Sequence, residues 1–228
     1  MLQFFLDLVF PKFCQGCFAE GTYLCLACQA KIQAPAERCL GCSKNSLLGR
    51  THPECRSRDI ALSALLVAAD YENEAIRNLV WNLKYNSVKE IADILALILA
   101  DYFVNRELTD YFAGSAVIPV PMREKRKRMR GFNQAELVAS QFAKRLGLEY
   151  LPILSKNKET KSQVELERNE RLKNVEGKFM VKPTPSLGER KIILIDDVAA
   201  TGATLNECAK VLKQRQVSEI WGLVVARN

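Results

Sequence analysis

Hydrophobic positions along the chain follow two rhythms. Short, largely apolar runs recur at residues 61–69, 117–120, 192–195 and 220–226, and the one at 192–195 is unbroken. Each predicts a strand, and the run at 192–195 predicts one buried on both faces, as in a parallel sheet. Between them, apolar residues recur every three or four positions. Ile76, Leu79, Val80 and Leu83 give one apolar face to a helix over 73–84, and a second helix is expected over 87–104. Gln134 opens a third, carrying Leu137, Val138, Phe142 and Leu146 and stopped by Gly147. Leu205, Cys208, Ala209 and Leu212 make a fourth, with Cys208 expected to be buried, inert and metal-free. Residues 148–154 read as a further strand, and the charged stretch 156–176 as a loop or exposed helix. Trp81 and Tyr85 are assigned to the core or a domain interface, and Phe132 to the core. Strands alternating with helices from Ala61 onward predict an α/β fold with a parallel sheet flanked by helices.

The strand at 192–195 runs into Asp196 and Asp197, then Ala200, Thr201, Gly202, Ala203 and Thr204, then the fourth helix. Ligands of open α/β sheets bind outside the carboxyl ends of the strands. A Thr/Gly turn entering a helix offers N–H groups and a positive dipole end to a phosphate. Paired carboxylates would repel that phosphate but accept hydrogen bonds from sugar hydroxyls. The chemistry suggested is a phosphorylated ribose. No Gly-Lys-Ser/Thr closes the turn, so it is not a Walker A loop. A second candidate anion site follows the strand that ends in Pro119, Val120 and Pro121. From Arg123 to Arg130, six of eight residues are basic, and the run can be read as a solvated surface, a pyrophosphate site or a nucleic-acid contact.

Seven of the eight cysteines precede residue 56. They form Cys14-x-x-Cys17, Cys25-x-x-Cys28 and Cys39-x-x-Cys42, and His52-x-x-Cys55 makes a fourth knuckle. Eight ligands suit two tetrahedral Zn²⁺ sites. Sequential pairing gives one all-cysteine site and one of three cysteines and His52; interleaved pairing is also compatible with the spacing. A disulfide framework would need an oxidising compartment. The apolar run at 4–10 carries Asp7 and lacks the features of a secretion signal, so a cytoplasmic location is expected.

The stretch from Ile192 to Thr204 resembles the phosphoribosyl pyrophosphate (PRPP) loop of type I phosphoribosyltransferases, with Ala200 where a Thr usually stands. Over nearly the whole chain the sequence is similar to the ComF family, whose members include ComFC- and GntX-like proteins. The resemblance rests on Val9-Phe10-Pro11, the knuckles, Pro119-Val120-Pro121 and Arg130-Gly131-Phe132-Asn133-Gln134. It extends through Gln163, Leu166, Arg171 and Asn174 to the PRPP loop. The family often has Arg where Lys156 stands and a Cys pair where His52 and Cys55 stand.

The resemblance implies a zinc-ribbon module over 1–58 and a phosphoribosyltransferase-like domain over 59–228. It implies PRPP with Mg²⁺ at Asp196, Asp197, residues 200–204, Pro119, Val120 and Arg130. Asp196, Asp197 and Arg123 would then serve transfer to an acceptor with release of pyrophosphate. The alternative it implies is a PRPP sensor that handles single-stranded DNA during natural transformation, with competence proteins as partners. The formal charge of +7 is compatible with either reading, and no apolar stretch is long enough to span a membrane.

Overall fold

The computed structural model describes residues 11–56, 60–156, 178–184 and 186–228. The apolar run at 4–10, Val9 and Phe10 of the family pattern, Gln163, Leu166, Arg171 and Asn174, and the expected boundary at 58/59 lie outside those residues.

The strands are β1 (Ala64–Asp70), β2 (Ala116–Pro119), β3 (Glu149–Tyr150), β4 (Leu154–Lys156), β5 (Phe179–Val181), β6 (Ile192–Ala199) and β7 (Ile220–Arg227). The helices are α1 (Leu26–Gln29), α2 (Pro53–Arg56), α3 (Glu74–Tyr85), α4 (Ile91–Asn105), α5 (Glu124–Arg130), α6 (Gln134–Leu146) and α7 (Ala203–Lys213). Five strands form one sheet in the order β1-β7-β6-β2-β3, and every pairing in it is parallel. β4 and β5 form a separate antiparallel pair.

The pleat sends successive side chains to opposite faces. Ile193 and Ile195 join α3, α4 and α6 in one core, through Ile76, Leu79, Leu95 and Phe142. Ile192 and Leu194 join α7 in the other, through Leu205, Cys208 and Leu212. The unbroken apolar run of β6 is thus explained by helices on both sides. Asn73 caps α3 by accepting from Ile76 N–H, and Gly147 ends α6 in the left-handed region at φ 64°.

The strand expected over 148–154 is instead two pieces, β3 and β4, which join different sheets. Pro152 lies between them and has no N–H to give a ladder.

The cysteine-bearing segment packs on the sheet domain at two places. Gln15 receives bonds from Asn78 and Asn82 of α3 (2.9 and 2.8 Å), and Cys14, Leu24 and Cys28 share the core with Ala75 and Ile76. Farther on, Thr51 N–H donates to Ser63 O (2.8 Å) and its hydroxyl to Leu62 O (2.7 Å), tying the segment to the start of β1. Among the described residues no helix is long and apolar enough to cross a membrane.

Candidate active site and metal centres

β2 and β6 run side by side only as far as the Pro119–Ile195 pair and the bond from Val120 N–H to Ile195 O (2.9 Å). Beyond it β2 turns away, while β6 stays paired with β7 to Ala199. The chain leaves β2 through α6 toward β3, and leaves β6 through α7 toward β7 on the other side. The crevice at such a divergence is where open α/β sheets take ligands. Here it is a cavity of about 510 Å³ whose walls include Asp196, Asp197, Thr204, Val120, Arg123, Arg126, Arg130 and Lys156.

The acids lie inside β6, not beyond its end as the apolar run had suggested, because β7 continues the ladder past them. Alternation then aims them apart. Asp197 points to the side of Ile193 and Ile195, where Lys84 Nζ at the end of α3 meets its Oδ2 at 3.0 Å. Its Oδ1 accepts from Val198 N–H at 2.7 Å. Asp196 faces the side of Cys208 and Lys156, and its Oδ1 accepts from Asp197 N–H at 2.9 Å. Burial first, and the neighbouring Asp197 charge second, push the Asp196 carboxyl up to about 8, against the pull of Lys84 and Lys156. Burial, helped by the Arg123 charge, lowers Lys156 below the usual lysine range.

The turn before α7 depends on Gly202. Its φ is 76°, and a Cβ there would lie 2.6 Å from Leu40 Cδ1. Leu40 sits between Cys39 and Cys42, so a cysteine knuckle packs directly against the turn. Thr201 Oγ1 accepts from Ala203 N–H at 3.3 Å, and Ala200 O accepts from Arg227 at 3.3 Å. Of residues 200–204, Thr204 is in the cavity wall; Val120 is too, whereas Pro119 is buried in the sheet.

The eight candidate metal ligands fall into two groups, Cys14, Cys17, Cys25, Cys28 and Cys39, Cys42, His52, Cys55. Within each, the ligand atoms lie within 4.8 Å of one another, so the pairing is sequential. Cys17 and Cys25 sulfurs are 3.6 Å apart, and Cys42 Sγ is 3.3 Å from His52 Nδ1. Tetrahedral zinc with bonds near 2.0–2.3 Å requires ligands about that close. Burial works against ionising Cys14, but N–H groups of Cys25, Gly16 and Cys17 outweigh it and lower the thiol to about 6. His52, Cys42 and Gly41 N–H groups likewise bring Cys39 to about 7 against burial. Thiol neighbours and burial hold Cys28 near 12, and burial with thiol neighbours holds Cys55 near 11. Four thiolates cannot crowd together unaided, and a divalent cation removes that conflict.

Residues 128–228 match the phosphoribosyl transferase domain family. The chain is 29% identical to Competence protein F of Haemophilus influenzae, covering 89% of this chain and 90% of that protein. It is 28% identical to Competence protein ComFC of Streptococcus pneumoniae, covering 88% and 86%. It is 26% identical to DNA utilization protein YhgH of Escherichia coli K12, covering 95% and 98%. The chain is ComF-like along nearly its whole length.

Several side chains of this ComF-like site escaped the sequence reading. Lys84 was hidden as the basic end of an amphipathic helix. Arg126 was one cation among many. Gln134 is 1% exposed, forms part of the cavity wall, and its Nε2 has no hydrogen-bond partner. Its neighbour Asn133 is fully used, donating to Val120 O at 3.0 Å and accepting from Ala135 N–H at 3.1 Å. An orphan buried donor costs about 1–3 kcal/mol until an acceptor arrives. Trp81 and Tyr85 correct the expectation of burial. They are 52% and 62% exposed, and Tyr85 lies between the cavity and Trp81, whose ring is 5.5 Å away. α3 keeps Leu79, Val80 and Leu83 inward, which turns 81 and 85 out together. Phe132 is buried as expected.

Proposed function

We propose that this ComF-like chain binds PRPP with Mg²⁺ in the acid-bearing cavity and transfers the phosphoribosyl group to an acceptor, releasing pyrophosphate. What carries the reading is the meeting of two acids, Thr204 from the Thr/Gly turn at a helix start, and five cations in one cavity. Asp196 and Asp197 accept from the ribose hydroxyls, and the turn at 200–204 holds the 5′-phosphate. Arg123, Arg126 and Arg130 receive the pyrophosphate, and Gln134 Nε2 gains the acceptor it lacks. Mg²⁺ would be held together with PRPP near Asp196 and Asp197 and would supply positive charge for the leaving group. In the transfer, the C1–O bond breaks with its electron pair departing on pyrophosphate. The acceptor's lone pair forms the new bond to C1. The oxocarbenium-like ribose between these events sits beside the Asp197 carboxylate, where positive charge is favoured.

The two ligand groups at residues 14–55 are read as structural Zn²⁺ sites, one ion each, and the module as residues 1–58 of a cytoplasmic protein. A calorimetric titration with PRPP and Mg²⁺ tests the reading. Binding is expected, with ribose 5-phosphate competing and inorganic pyrophosphate competing less well. No binding by the wild-type chain would overturn it.

A second reading keeps PRPP as a sensed ligand on a protein that handles single-stranded DNA with competence partners. It is favoured by α5, which carries five cations and buries none of its residues. Pyrophosphate release from PRPP separates the two, since a sensor releases none.

A further inference from the structure

A second cavity of about 570 Å³ adjoins the first, sharing Lys84, Tyr85, Arg123, Arg126 and Arg130 as a common wall. Its remaining walls are Ser87, Lys125 and Met129, and among the described residues no carboxylate lines it. The cations are unusually free. Among the described residues, the side chains of Arg123, Lys125 and Arg126 have no hydrogen bond or ion pair, and Lys127 alone on α5 reaches a carboxylate, Glu136, at 2.7 Å. Like charges one turn apart on a helix repel. A solvated basic helix would tolerate that, but this one borders a concavity that also exposes apolar surface. Met129 is 81% exposed and Tyr85 62%. The Tyr85 ring is held in place by Arg130 at 5.3 Å and by Trp81. A flat aromatic face, a thioether and unpaired cations together suit a planar molecule bearing negative charge.

We propose that this second cavity is a separate binding site for a small planar anion, its ring against Tyr85 and Met129 and its charge against Lys125, the cation that this cavity does not share with the first. Resting on the transferase reading, this anion is the acceptor, seated across the shared wall from the ribose. A neutral base would leave Lys125, which the pyrophosphate does not reach in this reading, uncompensated. A volume of this size holds one small molecule, which favours a small acceptor over a nucleic-acid strand.

The purified full chain tests this, by titration with orotate and benzoate as planar anions and with adenine as a neutral planar probe, with and without PRPP and Mg²⁺. At least one anion should bind roughly tenfold more tightly than adenine. Lys125→Glu and Met129→Glu touch the second cavity only and lie on a helix that buries no residue. Each should weaken the anion roughly tenfold while PRPP affinity stays within about twofold. Equal binding of adenine, no binding of either anion, or indifference to both substitutions would overturn the proposal. So would binding of an oligothymidylate, but of neither anion, lost in the same variants, since the surface would then serve a strand. An anion that binds where PRPP does not would keep this site and remove the transferase reading.

Discussion

The cysteine groups and the acid-bearing cavity are assembled in opposite ways. All eight candidate metal ligands come from one stretch, residues 14–55, in knuckles that bring their ligand atoms within 4.8 Å of one another in each group. The cavity gathers α3, the turn after β2, α5, α6, β4 and β6, separated by long intervals of chain. The first is closed and locally determined. The second exists only when the sheet is complete. The two are nevertheless joined, since the first cysteine group packs on α3, which carries Lys84, and the second presses Leu40 onto Gly202. The cysteine-bearing segment therefore packs against both α3 and the turn before α7, two elements that border the cavity.

Losing one cluster should have the largest effect. Cys25→Ser should lower bound zinc from about two ions to one per chain, because eight ligands make two tetrahedra. Structural zinc contributes on the order of 10 kcal/mol to small domains, so cleavage by protease near the N-terminus should rise sharply. Metal analysis with limited proteolysis reads both. A zinc-free chain, folded and protected through residue 55, would break the comparison at its first half.

Leu40→Ala probes the joint itself. It should cost about 1–3 kcal/mol, below the range for a fully buried leucine because Leu40 is only half-buried. Denaturant unfolding measures that loss. PRPP affinity should fall with it while both ions stay bound, since neither ligand set is touched. Unchanged affinity would mean that the module and the cavity work independently.

An effect confined to the higher part of the pH range is expected from Asp196→Asn. In the folded chain this carboxyl titrates at about 8, against about 3.9 when unfolded. Between those values the folded chain holds the extra proton, so its stability declines as pH rises through that window. The Asn variant lacks this decline. Its melting temperature should match wild type near pH 4 and exceed it near pH 8. Parallel melting curves across that range would show that Asp196 ionises freely. The smallest effect is no effect at all. Cys208 is fully buried, and burial holds its thiol well above the usual range, so a thiol reagent should leave it unlabelled in the native chain. Rapid labelling would displace α7 from the sheet.

These two regions also differ in how far they can be read from residues alone. Four knuckles announced the ligands, and geometry chose sequential over interleaved pairing because short hairpins close before distant ones. The acids and the Thr/Gly turn were equally legible, being contiguous. Lys84 and Gln134 were not, because their place in the cavity follows from how α3 and α6 dock on the sheet, which no local pattern encodes. Trp81 and Tyr85 were misjudged for the opposite reason. The phase of α3, which keeps Leu79, Val80 and Leu83 inward, had already set them outward. The division of 148–154 into β3 and β4 came from one proline.

The central claim is that the cavity binds PRPP through its acids, and calorimetric titration of wild type beside Asp197→Asn tests it most directly. Asn keeps the shape but cannot offer a charged acceptor to a ribose hydroxyl or retain the ion pair with Lys84. The account predicts that wild type binds PRPP with Mg²⁺ and that the variant loses about 1.5–3 kcal/mol, or roughly ten- to a hundredfold in affinity. Equal binding by the two chains would make the acidic pair structural and contradict the assignment.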